Sequence, residues 1–254
     1  MDIILTIANN TFRETIRNKV LYNILLFVGI IIALSVSFGE WSVFARVQVM
    51  NDFGLASMSL SGLLLAVFIR SSLLGKEISG KTVYLTATKP ISRGYIIFGK
   101  FFGVYLTLFL NFLIMSAVFG ISLAASGGEI TLMHAKALTL LFVELGVILA
   151  FSLLFSALSS PTLAAIFTIG FYIIGHFNDL VGVADLEEKR WLIPFLEAFN
   201  ILMPNLEFFN IRAAVVSESP VGMLYFASAV IYGILFMLIA LFLATMAFEK
   251  KDLS

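Results

Sequence analysis

The sequence predicts an all-α integral membrane protein, with about six transmembrane helices in a single transmembrane domain over residues 1–254. Hydrophobic residues make up 60% of the 254-residue chain and charged residues only 13%, and the mean hydropathy is +1.04. A soluble domain is nearer half apolar and a quarter charged, so these values indicate a chain that lies mostly in lipid. The apolar residues also form separate runs, most of them close to the length that crosses a bilayer.

The first 19 residues are amphipathic rather than uniformly apolar. Ile4, Ala8, Phe12 and Ile16 recur every four residues and share one helical face. This pattern predicts a helix at the membrane interface. The alternatives are a solvated leader or the start of a cleaved signal peptide. The apolar run over residues 21–38 is longer than the core of a signal peptide, which favours a retained interfacial helix.

Six apolar runs are long enough to consider as spans, although the fifth is only marginally so. They cover residues 21–38, 53–74, 101–124, 138–158, 162–177 and 221–248. Between the fifth and sixth runs, residues 178–220 are rich in acidic and aromatic residues, and Pro194 and Pro204 divide them into short pieces. We therefore expect an extracytoplasmic loop there, with short re-entrant helices that dip into the outer leaflet.

The distribution of Lys and Arg predicts the orientation. With the N-terminus inside, these residues are about twice as frequent on the inner segments as on the outer ones. Both termini are therefore predicted to be cytosolic. The zero net charge argues against a nucleic-acid partner. The absence of Cys and the presence of only two His give no basis for predicting a metal site.

The segment over residues 75–100 is the longest one dense in Lys and Arg, and we predict that it faces the cytosol. Gly75, Gly80, Lys81 and Thr82 fit the phosphate-binding pattern G-x-x-x-x-G-K-[ST]. That pattern binds phosphate only between a buried strand and a helix. Here a run of bilayer length precedes it, so we interpret the segment as a polar loop at the membrane surface.

Three parts of the sequence resemble the permease subunits of type V ABC exporters. The leader FRETIRNKVLYN is similar to the family's elbow helix, and LMPNLE with the following FFN is similar to the segment before its last span. The most specific match is the basic loop. It contains Glu77, Gly80 and Thr82, then TKPISR ending at Arg93, then Gly99-Lys100. Lys81 departs from the family pattern, in which Gly often stands beside Thr.

The resemblance implies a multi-pass subunit of the inner (cytoplasmic) membrane of a prokaryote. Two ABC ATPase subunits on separate chains would bind ATP and Mg²⁺, while this chain would bind no cofactor and contain no catalytic residue. A second permease chain, identical or different, would complete the transporter, and an extracytoplasmic accessory protein is a further expected partner. The residues implied in coupling to the ATPase are Glu77, Gly80, Thr82, Lys89, Pro90 and Arg93. Pro90 disfavours helix at Lys89, while Ser92 can cap the helix that follows.

Two polar residues within the predicted spans are candidates for the translocation path. Glu144 is the only acidic residue well inside a span, and an ionised group there costs about 2.5–3.5 kcal/mol on insertion scales. It either lines the path and contacts a cationic substrate group, or it is a structural carboxyl that is paired or protonated. Asn111 either lines the path or forms an interhelical hydrogen bond. Both alternatives stay open for each residue.

Three classes of function are consistent with these observations. The first is the exporter subunit, and the second is a membrane anchor that transmits ATPase-driven motion to an outer partner without moving a solute. The third is an intramembrane enzyme, for which the spans offer no paired Asp, His cluster or Ser–His set. The sequence does not indicate the substrate.

Overall fold

The computed structural model describes residues 2–19, 21–22, 25–26, 29–31, 46–79, 93–176 and 203–250. Every regular element in this part of the chain is helical. The elements are α1 (Asp2–Ile16), α2 (Arg46–Ser79), α3 (Arg93–Ala125), α4 (Leu132–Leu158), α5 (Pro161–His176), a 3₁₀ turn (Leu206–Phe209), α6 (Arg212–Val216) and α7 (Met223–Lys250). Residues 19, 21–22, 25–26 and 29–31 are helical as well.

Four of the described helices are long and apolar enough to cross a membrane. The candidate spans are Arg46–Val67, Gly94–Ala125, Leu132–Leu158 and Met223–Glu249. Helix α5 is also apolar but has only 16 residues. The described residues therefore confirm the all-helical fold, and these four helices are compatible with the predicted membrane protein. The predicted first span falls largely outside the described residues, so the total of six spans stays a prediction.

Two helices begin earlier than the hydropathy pattern predicts. Helix α2 starts at Arg46 rather than near residue 53, and α4 starts at Leu132 rather than near residue 138. The added turns contain Asn51 and His134, which lower the local hydropathy. Both side chains are nevertheless buried, and the Nε2 atom of His134 lies 3.1 Å from the Oδ1 atom of Asn51. Polar groups that bond each other across two helices thus extend both helices.

Helix α4 lies at the centre of the bundle. It contacts α2, α3, α5 and α7, and every residue from Val143 to Ala150 is buried. Small residues allow the close approach of its neighbours. A Cβ atom at Gly146 would lie 2.8 Å from the sulfur of Met237 on α7 and 3.0 Å from a ring carbon of Tyr105 on α3. On the α2 side, Gly62 packs directly against Leu145.

The contacts between helices define two ends of the bundle. Gly54 packs on Phe119 while Ser61 lies 3.7 Å from Met115, so α2 and α3 run antiparallel. Residues Ser79 and Arg93 therefore lie at the same end, which we call the loop end. The opposite end, which we call the cavity end, carries the start of α4 and the end of α5.

Helix α1 packs on the loop end of α3. A Cβ atom at Gly103 would lie 2.6 Å from the backbone oxygen of Ala8 and 2.6 Å from the Cβ atom of Thr11. A Cβ atom at Gly99 would lie 2.7 Å from Ile7. Two glycines four residues apart thus admit the α1 backbone, as small residues do at many membrane-helix contacts. The side of α1 that faces protein includes buried Thr11 and Thr15, whereas Leu5 is exposed.

Helices α3 and α7 present wide apolar faces to the outside of the bundle. Large exposed hydrophobic side chains on these faces include Phe102, Leu106, Leu113, Ile121, Ile231, Leu235, Leu238 and Phe242. A soluble monomer rarely exposes so much contiguous apolar surface. Contact with lipid or with another membrane helix is the arrangement that suits these faces.

Candidate functional site: a buried glutamate and histidine

The site is centred on Glu144, at mid-length of the central helix α4. Its carboxyl is buried, with 4% of the side chain exposed, and its Oε1 atom lies 3.5 Å from the Nε2 atom of His176. His176 is the last residue of α5. Helices α4 and α5 form an antiparallel hairpin that turns at Ser159 and Ser160. Because Glu144 and His176 are equally far from Ser160 in sequence, the hairpin places them side by side.

His176 has a further polar neighbour on α5, which in turn contacts α2. The Nδ1 atom of His176 lies 3.0 Å from the backbone oxygen of Tyr172, one turn earlier. The Tyr172 hydroxyl lies 2.9 Å from the Ser59 hydroxyl on α2. The Oε1 atom of Glu144, in contrast, has no hydrogen-bond partner among the described residues. A separation of 3.5 Å exceeds the roughly 2.7–3.2 Å of a hydrogen bond.

Glu144 and His176 line a cavity of about 70 Å³. Its other polar lining residues are Ser59, Tyr172, Asn210 and Arg212, and the rest of the lining is apolar. A volume of this size accommodates a few water molecules or a small ion, but not a drug-sized molecule. The cavity therefore suits a very small ligand.

Residues 205–212, which we call the lid segment, cover the cavity at the cavity end. Their conformation is fixed by their own side chains. The Oδ1 atom of Asn205 accepts a hydrogen bond from the backbone of Glu207, whose Oε1 atom accepts one from Asn210. Two apolar residues anchor the segment to the bundle, since Leu206 packs on Gly175 and Phe209 packs on Gly233.

Arg212 stands at the mouth of the cavity. Its Nε atom lies 3.5 Å from the Oδ1 atom of Asp52 on α2, and the two side chains are 35% and 57% exposed. This pair lies between the buried carboxyl and the surface of the cavity end. Arg212 and Glu207 are also close enough to act electrostatically on the Glu144 carboxyl. Among the described residues, this mouth is therefore the polar entrance to the Glu144 cavity.

A second, larger cavity of about 480 Å³ opens nearby at the cavity end. It is lined by Asn51, Thr131 and His134, together with Glu129 and Glu218. The backbone N–H of Thr131 donates to the Nδ1 atom of His134, which leaves the Nε2 hydrogen to bond Asn51. These buried polar groups satisfy one another. The arrangement accounts for the early start of α4, and both ring nitrogens of His134 have a hydrogen-bond partner in it.

Asn111, the other residue predicted in the membrane, does not line the Glu144 cavity. It is buried on α3, where its Nδ2 atom donates to the backbone oxygen of Thr107 at 2.7 Å. Its Oδ1 atom has no partner in the described part of the chain. Asn111 thus lies outside the lining of the Glu144 cavity, and the role of both residues in a translocation path stays a prediction.

The predicted coupling residues lie at or beyond the limits of the described structure. Glu77 falls in the last turn of α2, and Arg93 is the first residue of α3. Gly80, Thr82, Lys89 and Pro90 lie outside the described residues, so their roles stay predictions. Gly75, the first residue of the phosphate-loop pattern, lies within α2 rather than after a strand.

Sequence reasoning found Glu144 but missed its partners. The sequence gives His176 no role beyond its place in the count of two histidines, and it does not single out Tyr172 or Arg212 as site residues. The signal for His176 was available in the short Ser159–Ser160 turn, because an antiparallel hairpin pairs residues at equal distances from its turn. Arg212 had no such signal, since the lid segment reaches the cavity through long-range packing.

The comparisons with known proteins give no identification of the family. No protein-family model matches the sequence, and none of the curated proteins matches it. Within the described residues, no group of three or more His, Asp or Glu side chains is arranged to hold a metal ion. The functional interpretation therefore depends on the loop motif, the bundle and the Glu144 cavity.

Proposed function

We propose that this chain is the membrane-spanning permease subunit of an ATP-driven ABC exporter of the type V class. In this proposal a separate ATPase binds at the loop end, and its movements change access to a path through a pair of permease chains. The observation that carries the proposal is the basic loop of residues 75–100, whose motif resembles the family's coupling segment and which connects two adjacent long helices.

The lengths of these helices support a role in transmitting force. Helices α2 and α3 have 34 and 33 residues, which correspond to about 50 Å each at about 1.5 Å per residue. The hydrocarbon core of a bilayer is only about 30 Å thick. Each helix is therefore long enough to extend beyond the core at the loop end and to carry a displacement of the loop into the bundle.

The position of α1 adds to this support. Because α1 packs on Gly99 and Gly103, it is attached to α3 within a few turns of the loop. A displacement received near Arg93 would therefore move α1 and α3 together. The apolar outer faces of α3 and α7 supply surfaces on which a second permease chain could assemble.

The experiment is co-purification followed by a coupling assay. We expect the tagged chain, extracted from its native membrane, to co-purify with an ATPase subunit in equal amounts. In the reconstituted complex, Glu77→Ala and Pro90→Gly should leave ATP hydrolysis in place but reduce transport at least about tenfold, the change that follows from losing roughly 1.4 kcal/mol of coupling. Glu129→Ala, which changes an exposed carboxyl at the cavity end, is the matched control.

Two results would contradict the proposal. One is nucleotide hydrolysis by the purified chain alone, free of any ATPase subunit. The other is transport at the wild-type rate in both loop variants. Hydrolysis coupled to movement of an outer protein, with no solute transported, would instead favour the membrane-anchor function.

A further inference from the structure

The hydrogen-bond geometry of His176 fixes where its first proton lies. Its Nδ1 atom is 3.0 Å from the backbone oxygen of Tyr172. A carbonyl oxygen can only accept a hydrogen bond, so the Nδ1 atom must carry the hydrogen. In the neutral ring, the Nε2 atom is then the unprotonated one. That atom is the one that faces Glu144.

The facing atoms of the pair are therefore both acceptors unless a proton lies between them. An ionised Glu144 would place the Oε1 lone pairs opposite the Nε2 lone pair at 3.5 Å. No other described group donates to Oε1, and the carboxyl is almost completely buried. A bare charge in such a position is strongly unfavourable. One added proton removes the conflict, either as a carboxylic acid that donates to Nε2 or as an imidazolium that donates to the carboxylate.

The other titratable and charged groups around the pair do not replace this proton. Tyr172 on α5 is bonded to Ser59, and Arg212 of the lid is paired with Asp52 on α2 at the mouth. Glu207 accepts a hydrogen bond from Asn210 within the lid segment. On the other neighbouring helices, Tyr105 bonds the backbone oxygen of Phe142, and Tyr232 accepts from the backbone of Asn205.

We propose that the Glu144 cavity is a proton-binding site, in which Oε1 of Glu144 and Nε2 of His176 share one proton that is exchanged through the mouth at Arg212. The mouth is the route because the remaining described lining residues are apolar or already bonded. The ligand is a proton, and binding it converts two opposed lone pairs into a hydrogen bond. This inference concerns the isolated chain and does not depend on the ATPase partner.

The test measures both members of the pair in the full-length chain at neutral pH. Infrared difference spectra between wild type and Glu144→Gln report whether the Glu144 carboxyl is protonated or ionised. Nitrogen NMR of labelled histidine reports which ring nitrogens carry hydrogen. The chain has only two histidines, so His176→Gln assigns their signals. Glu129→Gln is the control, because it makes the same chemical change at an exposed carboxyl outside the Glu144 cavity.

Two results support the proposal, and both leave one proton between the groups. One is a protonated carboxyl with a ring that carries hydrogen only at Nδ1. The other is an ionised carboxyl with both ring nitrogens protonated. The proposal is overturned by an ionised carboxyl beside a ring protonated only at Nδ1, by a protonated carboxyl beside an imidazolium, or by a bare Nδ1 atom. The histidine NMR is recorded on wild-type protein, so poor folding of Glu144→Gln does not affect it, and a bare Nδ1 atom in those spectra overturns the proposal by itself.

Discussion

The contact between α1 and α3 yields a prediction that can be worked from distances. A Cβ atom at Gly103 would lie 2.6 Å from the Ala8 backbone oxygen, whereas ordinary contact begins at 3.4 Å. The Gly103→Ala variant must therefore separate the helices by about 0.8 Å, the difference between 3.4 and 2.6 Å. Overpacking of this kind costs about 1–3 kcal/mol. Ala also favours a helix over Gly by up to about 1 kcal/mol.

Because the contact is with the backbone, we take the cost from the upper half of that range; less the helix preference of Ala, Gly103→Ala should weaken the attachment of α1 by about 1–2 kcal/mol. Gly170→Ala is the matched control, because a Cβ atom at Gly170 would meet nothing within 4 Å. It makes the same chemical change in another apolar helix without the steric conflict. The difference between the two variants thus isolates the contact with α1.

Thiol labelling measures this effect, because the natural chain contains no Cys. Thr15 is completely buried, and its hydroxyl bonds the Thr11 backbone. A thiol introduced by Thr15→Cys should therefore react only when α1 separates from the bundle. A loss of 1–2 kcal/mol raises the open population, and with it the labelling rate, by about 5- to 30-fold. Equal rates in the Gly103→Ala and Gly170→Ala backgrounds would refute the packing argument.

Three further predictions concern the cavity end. His134→Phe removes the buried hydrogen bond to Asn51 and leaves polar groups without partners. The free energy of unfolding in detergent, measured by thermal unfolding, should therefore fall by about 1–3 kcal/mol. An unchanged unfolding midpoint would contradict the assigned hydrogen bonds. Asp52→Asn should change stability by less than about 1 kcal/mol in the same assay, because the pair with Arg212 is exposed. Gly233→Leu should displace the lid segment, because Phe209 and Val143 occupy the space that the new side chain needs. Protease should then cleave near residue 209 faster than in wild type. Unchanged cleavage would argue against the anchoring of the lid segment by Phe209.

The sequence predicted the helices well because hydropathy measures the property that places them in lipid. It predicted their starts poorly at α2 and α4, where buried Asn51 and His134 reduce the local hydropathy while bonding each other. A one-dimensional average cannot represent a polar residue whose partner lies 83 residues away. His176 differs in this respect, because its pairing with Glu144 follows from the short turn at Ser159 and Ser160 and not from hydropathy.

The lid segment shows a second reason for incomplete prediction. The prolines and acidic residues of the interval 178–220, which contains this segment, indicated short pieces, and the described residues there do form a 3₁₀ turn and the short helix α6. Their place over the Glu144 cavity, however, depends on Leu206 and Phe209 entering gaps left by Gly175 and Gly233. Such fits depend on the relative positions of three helices, which the local pattern does not encode.

The partnership of α1 with α3 also has a consequence for biosynthesis. A ribosome releases α1 well before it makes Gly99 and Gly103, since these glycines lie more than 80 residues later in the chain. During that interval the apolar side of α1 has no protein surface to cover it. An amphipathic helix can lie in the headgroup layer meanwhile, so we expect the pattern of Asp2–Ile16 to hold the nascent chain at the membrane surface until α3 is made.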